Sequence, residues 1–312
     1  MTALLMGRVC VVTGASRGIG RGIALQLAAA GATVYITGRH TQTLRATATE
    51  VETRGGSCIP VVCDSSKESD IKSLFERVNK EQNGRLDIVV NNALSAVQTI
   101  FENRDKKFWE TDTEIWDDVN NVGLRGHYIC SVYAAQAMVK AGQGIIVVIS
   151  SMGGLRYIFN VPYGVGKAAC DRLAADCAEE LRPQGVSYVS LWPGTVQTET
   201  LKEMFLHSQT ISPQDQQLAD LVFEGESPEL TGKCIVALAN DKNIMKYSGK
   251  VLLTCDLASR YNLKDVDGRA VVHYRSLKFL IKHVPGFAWM SPFIPSFVRV
   301  PKWVPALVAS KF

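Results

Sequence analysis

The chain has 312 residues, 46% of them hydrophobic and 21% charged, which describes a globular protein with a sizeable core and excludes a disordered polymer. One large α/β domain can absorb most of that length. The formal charge is +4, yet residues 269–312 hold seven Lys and Arg and no Asp or Glu, against 27 basic and 30 acidic residues before them. The basic excess therefore belongs to a tail, which is too apolar and proline-punctuated for a nucleic-acid arm.

Eight cysteines show no CxxC pair and no metal-ligand spacing with the five histidines, so no metal is expected. Several lie in apolar runs and no Asn-x-Ser/Thr sequon occurs, which points to a reducing compartment. A strand pattern begins by Arg8, leaving no room for a signal peptide, and no run of about 18 uncharged apolar residues offers a transmembrane helix.

In chain order, the first strand "RVCVVT" (8–13) runs into "TGASRGIG" (13–20) and a helical stretch over 18–30. Gly14 permits a tight turn, Gly18 lets backbone approach a pyrophosphate, and Gly20 lets the helix pack on the strand. The helix N-terminus then offers free N–H groups to phosphate. An ordinary glycine-rich turn is the plainer alternative. The second strand, "TVYITG" (33–38), ends at Arg39, where an acidic residue would favour NAD; Arg39 with Arg17 suits a 2′-phosphate instead, unless both are solvated surface groups. "CIPVVC" (58–63) ends at Asp64 and "LDIVV" (86–90) at "NNA" (91–93); Asp64 and Asn91 either shape a cofactor groove or close turns.

"GIIVVIS" (144–150) leads to Ser151, and a helical pattern over 161–182 begins with "YGVGK", Tyr163 to Lys167. Residues i and i+4 share a helical face. A tyrosine titrating near ~10 becomes a usable base when an ammonium stabilises its phenolate. A second pair of the same spacing, Tyr274 and Lys278, has no upstream serine, and no sheet is expected beneath it. "VSYVSLW" (186–192) is followed by Pro193, Gly194 and Thr198, then by a long segment, Thr195 to Ser227, placed as a lid over a ligand. Its Met204, Phe205 and Leu206 either offer a mobile apolar surface or bury against the body. "KVLLTC" (250–255) is the seventh strand. Continuous apolar strands alternating with helices predict a doubly wound, mostly parallel α/β sheet of the Rossmann type over residues 1–256, with an apolar and basic C-terminal extension over 257–312.

Taken in order, TGxxxGxG, Asp64, "NNA", "ISS" (149–151), YxxxK and "PG" with Thr198 resemble the short-chain dehydrogenase/reductase family over residues 8 to about 256. The resemblance implies Tyr163 as catalytic acid/base, Lys167 as its partner and cofactor anchor, and Ser151 as the substrate-orienting hydroxyl. The cofactor set it implies is Gly14, Ser16, Arg17, Gly18, Ile19, Gly20, Arg39, Asp64, Asn91, Pro193, Gly194 and Thr198, together with Tyr163 and Lys167. NADP(H) is favoured over NAD(H), and the expected reaction is reduction of lipophilic ketones or aldehydes, steroid-like or xenobiotic. A homo-oligomer is expected. Two departures stand out: Leu94 where the family usually has Gly, with a longer loop after it, and Gly123 where the family has a catalytic Asn. The second of these leaves a non-catalytic NADP(H)-binding scaffold as the rival function.

The tail mixes Phe279, Phe287, Trp289, Phe293, Phe297 and Trp303 with Lys and Arg, and prolines at 285, 292, 295, 301 and 305 forbid one long helix. Such a segment suits a membrane surface without crossing it, or else folds over the domain or a second copy. The expected location is the cytosolic face of the endoplasmic reticulum membrane. The cytoplasm is an alternative, as is the peroxisome through the SKL-like Ser310-Lys311-Phe312.

Overall fold

The structure, a computed structural model, describes residues 3–206, 213–282, 284 and 286–309. Seven strands, β1 (Val9–Val12), β2 (Thr33–Gly38), β3 (Ser57–Val62), β4 (Ile88–Asn91), β5 (Gly144–Ile149), β6 (Val186–Trp192) and β7 (Val251–Leu253), form one sheet. Its order is β3-β2-β1-β4-β5-β6-β7 and every pairing is parallel. Alternate residues of each strand feed two cores. Cys10, Val12, Ile36, Val90 and Val147 face one side, while Val11, Tyr35, Val89, Ile146 and Val148 face the other. Burial on both faces is why the strands read as unbroken apolar runs.

The helices are α1 (Gly18–Ala29), α2 (Thr41–Thr53), α3 (Glu68–Glu81), α4 (Val97–Glu102), α5 (Ile115–Asn120), α6 (His127–Ala141), α7 (Val161–Leu181), α8 (Glu199–Leu206), α9 (Pro213–Phe223), α10 (Pro228–Ala239), α11 (Thr254–Arg260), α12 (Leu277–Lys282) and α13 (Trp303–Ala309). Helices α1, α2 and α10 cover the first core; α3, α6 and α7 cover the second. Strand order reverses between β1 and β4, which opens a crevice at their carboxyl ends.

Helices α1 and α10 touch backbone to backbone. A Cβ at Gly22 would lie 2.2 Å from the Pro228 carbonyl oxygen, and one at Gly232 would lie 2.9 Å from the Gly22 carbonyl oxygen. The two feet of the lid are pinned together, since Glu226 N–H donates to Thr195 O (2.8 Å) and Gln197 N–H to Glu226 O (2.9 Å).

The extension turns back on the domain. Ser276 and Arg299 form an antiparallel bridge, and Asp256 gathers His273 (3.2 Å), Lys302 (2.9 Å) and Arg275. Phe279 meets the Tyr274 ring edge-on at 5.1 Å. Phe287, Trp289, Phe293, Phe297 and Trp303 stay exposed, Phe293 at 80%. Among the described residues no helix is long and apolar enough to cross a membrane. Pro285 and the terminal Ser310-Lys311-Phe312 lie outside the described residues.

Because nothing soft separates α1 from α10, Gly22→Ala is expected to destabilise the fold by about 1–3 kcal/mol through overpacking. A urea unfolding midpoint equal to wild type would show that the helices can part without cost.

Candidate active site

The side chain of Asn160 opens α7 by accepting a hydrogen bond from Tyr163 N–H (3.1 Å), which fixes Tyr163 in the first turn. Lys167 follows one turn later. It is buried, at 7% exposure, its Nζ donates to Ile149 O (2.9 Å), and that nitrogen lies 5.9 Å from the centre of the Tyr163 ring. Ser151 leaves β5 in extended conformation, and its Oγ accepts from Gly153 N–H (3.1 Å). A Cβ at Gly153 would sit 2.6 Å from Tyr163 Cε1, so the serine turn lies directly against the tyrosine ring. Ser151, Tyr163 and Lys167 thus meet at the carboxyl end of β5.

The other YxxxK pair is built differently, on the loop that follows β6. Tyr274 packs on Gly194, just past β6, where a Cβ would come within 2.1 Å of its ring. Its hydroxyl accepts from Thr195 N–H (2.8 Å), and burial raises that phenol to about 12. Tyr274 is a neutral brace under the lid's first foot.

The glycine loop is as tight as its sequence suggests. Gly14 has φ +64° and a Cβ there would lie 2.7 Å from Ala93 Cα; a Cβ at Gly20 would lie 2.3 Å from Gly14 O. Gly18 has φ +56°, and a Cβ there would lie 3.4 Å from Thr198 Cγ2, so the loop after β1 lies beside the segment after β6. Ser16 Oγ sits against Gly38 at the end of β2, Ile19 packs on the first core, and Arg17 and Arg39 are exposed. Among the described residues neither arginine is paired with a carboxylate. The Gly18 N–H donates to Glu199 Oε2 (2.9 Å), whose other oxygen meets Arg21 (3.1 Å). A carboxylate from α8 therefore meets the free N–H at the start of α1, which shows that this N–H is open to an anionic oxygen.

Asn91 and Asp64, two of the expected cofactor residues, both make hydrogen bonds within the chain. Asn91 is fully buried, and its amide donates to Ser131 (2.9 Å); its neighbour Asn92 instead holds the glycine loop through Thr13 O (2.9 Å) and Gly14 O (3.1 Å). Asp64 accepts from Ser66 N–H and Oγ–H, closing a turn; those bonds and nearby Lys67 and Arg39 outweigh its burial and hold its carboxyl below the usual range.

A profile of short chain dehydrogenases matches residues 8–209. Human dehydrogenase/reductase SDR family member 1 is 63% identical over 313 residues, covering 100% of both chains. The chain belongs to the short-chain dehydrogenase/reductase family. NADPH-dependent aldehyde reductase 2, chloroplastic, from Arabidopsis thaliana is 34% identical over 62% of this chain and 74% of its own. The crystal structure of a candidate NAD(P)-dependent gluconate 5-dehydrogenase from Beutenbergia cavernae, with NADP bound at low occupancy, superposes with a TM-score of 0.68 at 28% identity, covering 81% of this chain and 97% of its own.

The two departures from the family pattern lie against each other. A Cβ at Gly123 would come within 2.9 Å of Leu94 Cδ1, so the leucine fills the space that the missing side chain leaves. Leu94, Phe159 and Tyr163 all pack against one small cluster of Ala96, Ile100, Ile115 and Val119. Residues Asn121–Gly126 widen into a π-helical turn, and Gly123 O accepts from the Cys170 thiol (3.2 Å). His127 lies beside that thiol and its Nε2–H donates to Ala93 O (3.0 Å); burial first and Lys167 second push its imidazole down to about 3, so it stays neutral.

Sequence reasoning missed a line of rings from the lid to Tyr163. Phe205 meets Phe101 (5.5 Å), Phe101 meets Phe159 (6.2 Å), and Phe159 meets Tyr163 (5.3 Å). Phe159 holds φ +64°, a strained conformation for so large a residue. Phe205 is buried in this line, while Met204 lines a cavity of about 320 Å³ beside Phe101.

Sequence reasoning missed Glu226 as well. It is buried at the lid's second foot and accepts from Gly194 N–H (3.0 Å) and Thr254 Oγ–H (2.8 Å); burial raises its carboxyl to about 8 against those bonds.

Gly123→Asn alone should displace Leu94 and cost about 1–3 kcal/mol. Adding Leu94→Ala should recover part of that loss, a coupling of about 0.5 kcal/mol or more in a double-mutant cycle. Strict additivity would separate the two departures. Between the unfolded glutamate value of ~4.3 and the folded value, Glu226 keeps a proton that the unfolded chain has lost, so its contribution to stability falls as pH rises through that window. Glu226→Gln should flatten this slope in melting experiments run from acid to mildly basic pH, and an unaltered slope would contradict the assignment.

Proposed function

We propose that the protein is an NADP(H)-dependent reductase of lipophilic ketones and aldehydes, working with a Ser151–Tyr163–Lys167 site. The observation that carries this reading is the convergence of those three side chains, with a buried ammonium beside the tyrosine ring. The cofactor's backbone is held by the loop Gly14–Gly20 and by Thr198, with Ser16 and Ile19 as part of that loop, and Pro193 and Gly194 form the wall at β6. When bound, the nicotinamide supplies hydride to the carbonyl carbon. Tyr163 gives its phenolic proton to the oxygen that becomes an alkoxide, and the Ser151 hydroxyl donates a hydrogen bond to the same oxygen. Lys167 holds the charge left on Tyr163.

Preference for the phosphorylated cofactor rests on Arg17 and Arg39, two exposed guanidiniums that make no ion pair among the described residues, Arg39 acting on Asp64 only through its field. The Arabidopsis relative is named for NADPH, and the Beutenbergia structure carries NADP. A lipophilic substrate fits the rings lining the way from the lid to Tyr163. The exposed aromatics of the extension, interleaved with Lys and Arg, fit the surface of a membrane, with the cytosolic face of the endoplasmic reticulum as the location. A homo-oligomer is part of the same reading.

NADPH oxidation against a panel of carbonyls tests it. Tyr163→Phe should lose about 10²–10⁴-fold in turnover while still binding NADPH, and Tyr274→Phe should keep proton transfer. Arg39→Asp should weaken NADPH about 10–150-fold relative to NADH, as expected for the loss of a bond to a charged group. A wild type that binds NADPH but turns over no carbonyl would favour the scaffold instead, and an unchanged cofactor ratio would remove Arg39 from selection.

A further inference from the structure

We propose that a pocket of about 340 Å³ between α11 and the C-terminal extension is a binding site for a phosphoryl group. It shares no lining residue with the Ser151–Tyr163–Lys167 site and lies at β7, two strands across the sheet from β5. The proposal is independent of the oxidoreductase reading. Arg260, Arg275, Arg299 and Lys302 all line this pocket, and Asp256 is its one carboxylate. Arg275 and Lys302 already share Asp256, and Arg275 also donates to Val300 O (2.6 Å), while its Nε has no hydrogen-bond partner. Arg299 donates to Ser259 Oγ (2.9 Å), and Arg260 lies over the rings of Tyr247 (5.2 Å) and Tyr261 (5.9 Å). Neither Arg260 nor Arg299 makes an ion pair among the described residues, although the field of Arg260 reaches the Asp241 carboxylate outside the pocket lining.

Four cations facing one carboxylate leave three positive charges around a single cavity. Their mutual repulsion is relieved by a compact anion, and guanidinium forks match phosphate oxygens in pairs. A phosphomonoester, with up to two negative charges, fits that excess better than a carboxylate does. A metal does not fit. Cys255, Asp256 and His273 offer ligand atoms within 4.8 Å of one another, but two resident cations already occupy the Asp256 carboxylate. Both sides of the pocket are required, because Arg260 ends α11, which starts at the last strand of the sheet, whereas Arg275, Arg299 and Lys302 come from the chain beyond it. Docking of the extension therefore creates the site. Trp303 follows Lys302 directly and is exposed, so the phosphate group belongs either to a phospholipid headgroup or to a soluble phosphate ester.

The test uses the full chain and a double variant, Arg260→Ala with Arg299→Ala, whose positions hold no ion pair that folding relies on. Inorganic phosphate, titrated against chloride at constant ionic strength, should bind wild type saturably and the double variant at least tenfold more weakly. Any phosphate bound at the glycine loop is common to both proteins, so their difference isolates the pocket. The milder Arg299→Lys keeps the charge but loses the fork, and should fall between them. Phosphatidylcholine vesicles carrying phosphatidic acid, beside vesicles of matched surface charge made with phosphatidylserine, separate the sources. Selective capture by phosphatidic acid, competed by inorganic phosphate, assigns the headgroup. Phosphate binding without vesicle selection assigns a soluble ester, and both results support the site. Equal phosphate affinity in wild type and double variant, or no saturable binding by either, overturns it.

Discussion

An ammonium taken out of water must be satisfied where it sits, and among the described residues Lys167 has one acceptor, the Ile149 carbonyl. That bond fastens the end of β5 to the opening turns of α7. Ser150 adds a second tie by donating to the Lys167 carbonyl (3.0 Å). With the two elements locked, the Tyr163 ring has one place to go, against the turn of Ser151, and Gly153 is the residue that leaves room for it. The buried charge also decides its neighbours. His127 stays neutral beside it, which avoids two cations in one dry pocket. The geometry of the site is thus a consequence of how one charge is housed.

Much of this was legible beforehand, for identifiable reasons. A parallel sheet covered on both faces needs unbroken apolar strands, so all seven were visible, with ends shifted by a residue or two. The loop glycines, Ser151, Tyr163 and Lys167 were visible because each sits at a strand end or helix start, where local sequence dictates local geometry. Asn91 and Asn92 show the limit. Successive residues of a strand point to opposite faces, and the sequence alone did not tell which asparagine faced the glycine loop. The Leu94–Gly123 contact, the buried Glu226 and the Tyr274 brace join residues that are far apart in the chain. No periodicity or spacing carries that information.

The extension shows the same division. Its aromatic and basic composition was plain, but its attachment was not, because it depends on Asp256 gathering His273, Arg275 and Lys302 from two later segments. The first part of the tail belongs to the catalytic body, where Tyr274 supports the lid. The later part turns its rings outward. One segment thereby joins the lid's footing to whatever surface those rings meet.

Glu199 gives the lid a second attachment, this time to the glycine loop. The α8 carboxylate accepts from the Gly18 N–H, and a dinucleotide phosphate held at this loop, as proposed, would compete for the same donor. Each must therefore weaken the other's hold, and linkage makes the penalty equal in both directions. A ligand that draws α8 away from Gly18 relieves the competition and tightens the dinucleotide. On the proposed reading, the position of α8 and the affinity for the cofactor would be two readings of a single equilibrium, set by which anion meets the start of α1.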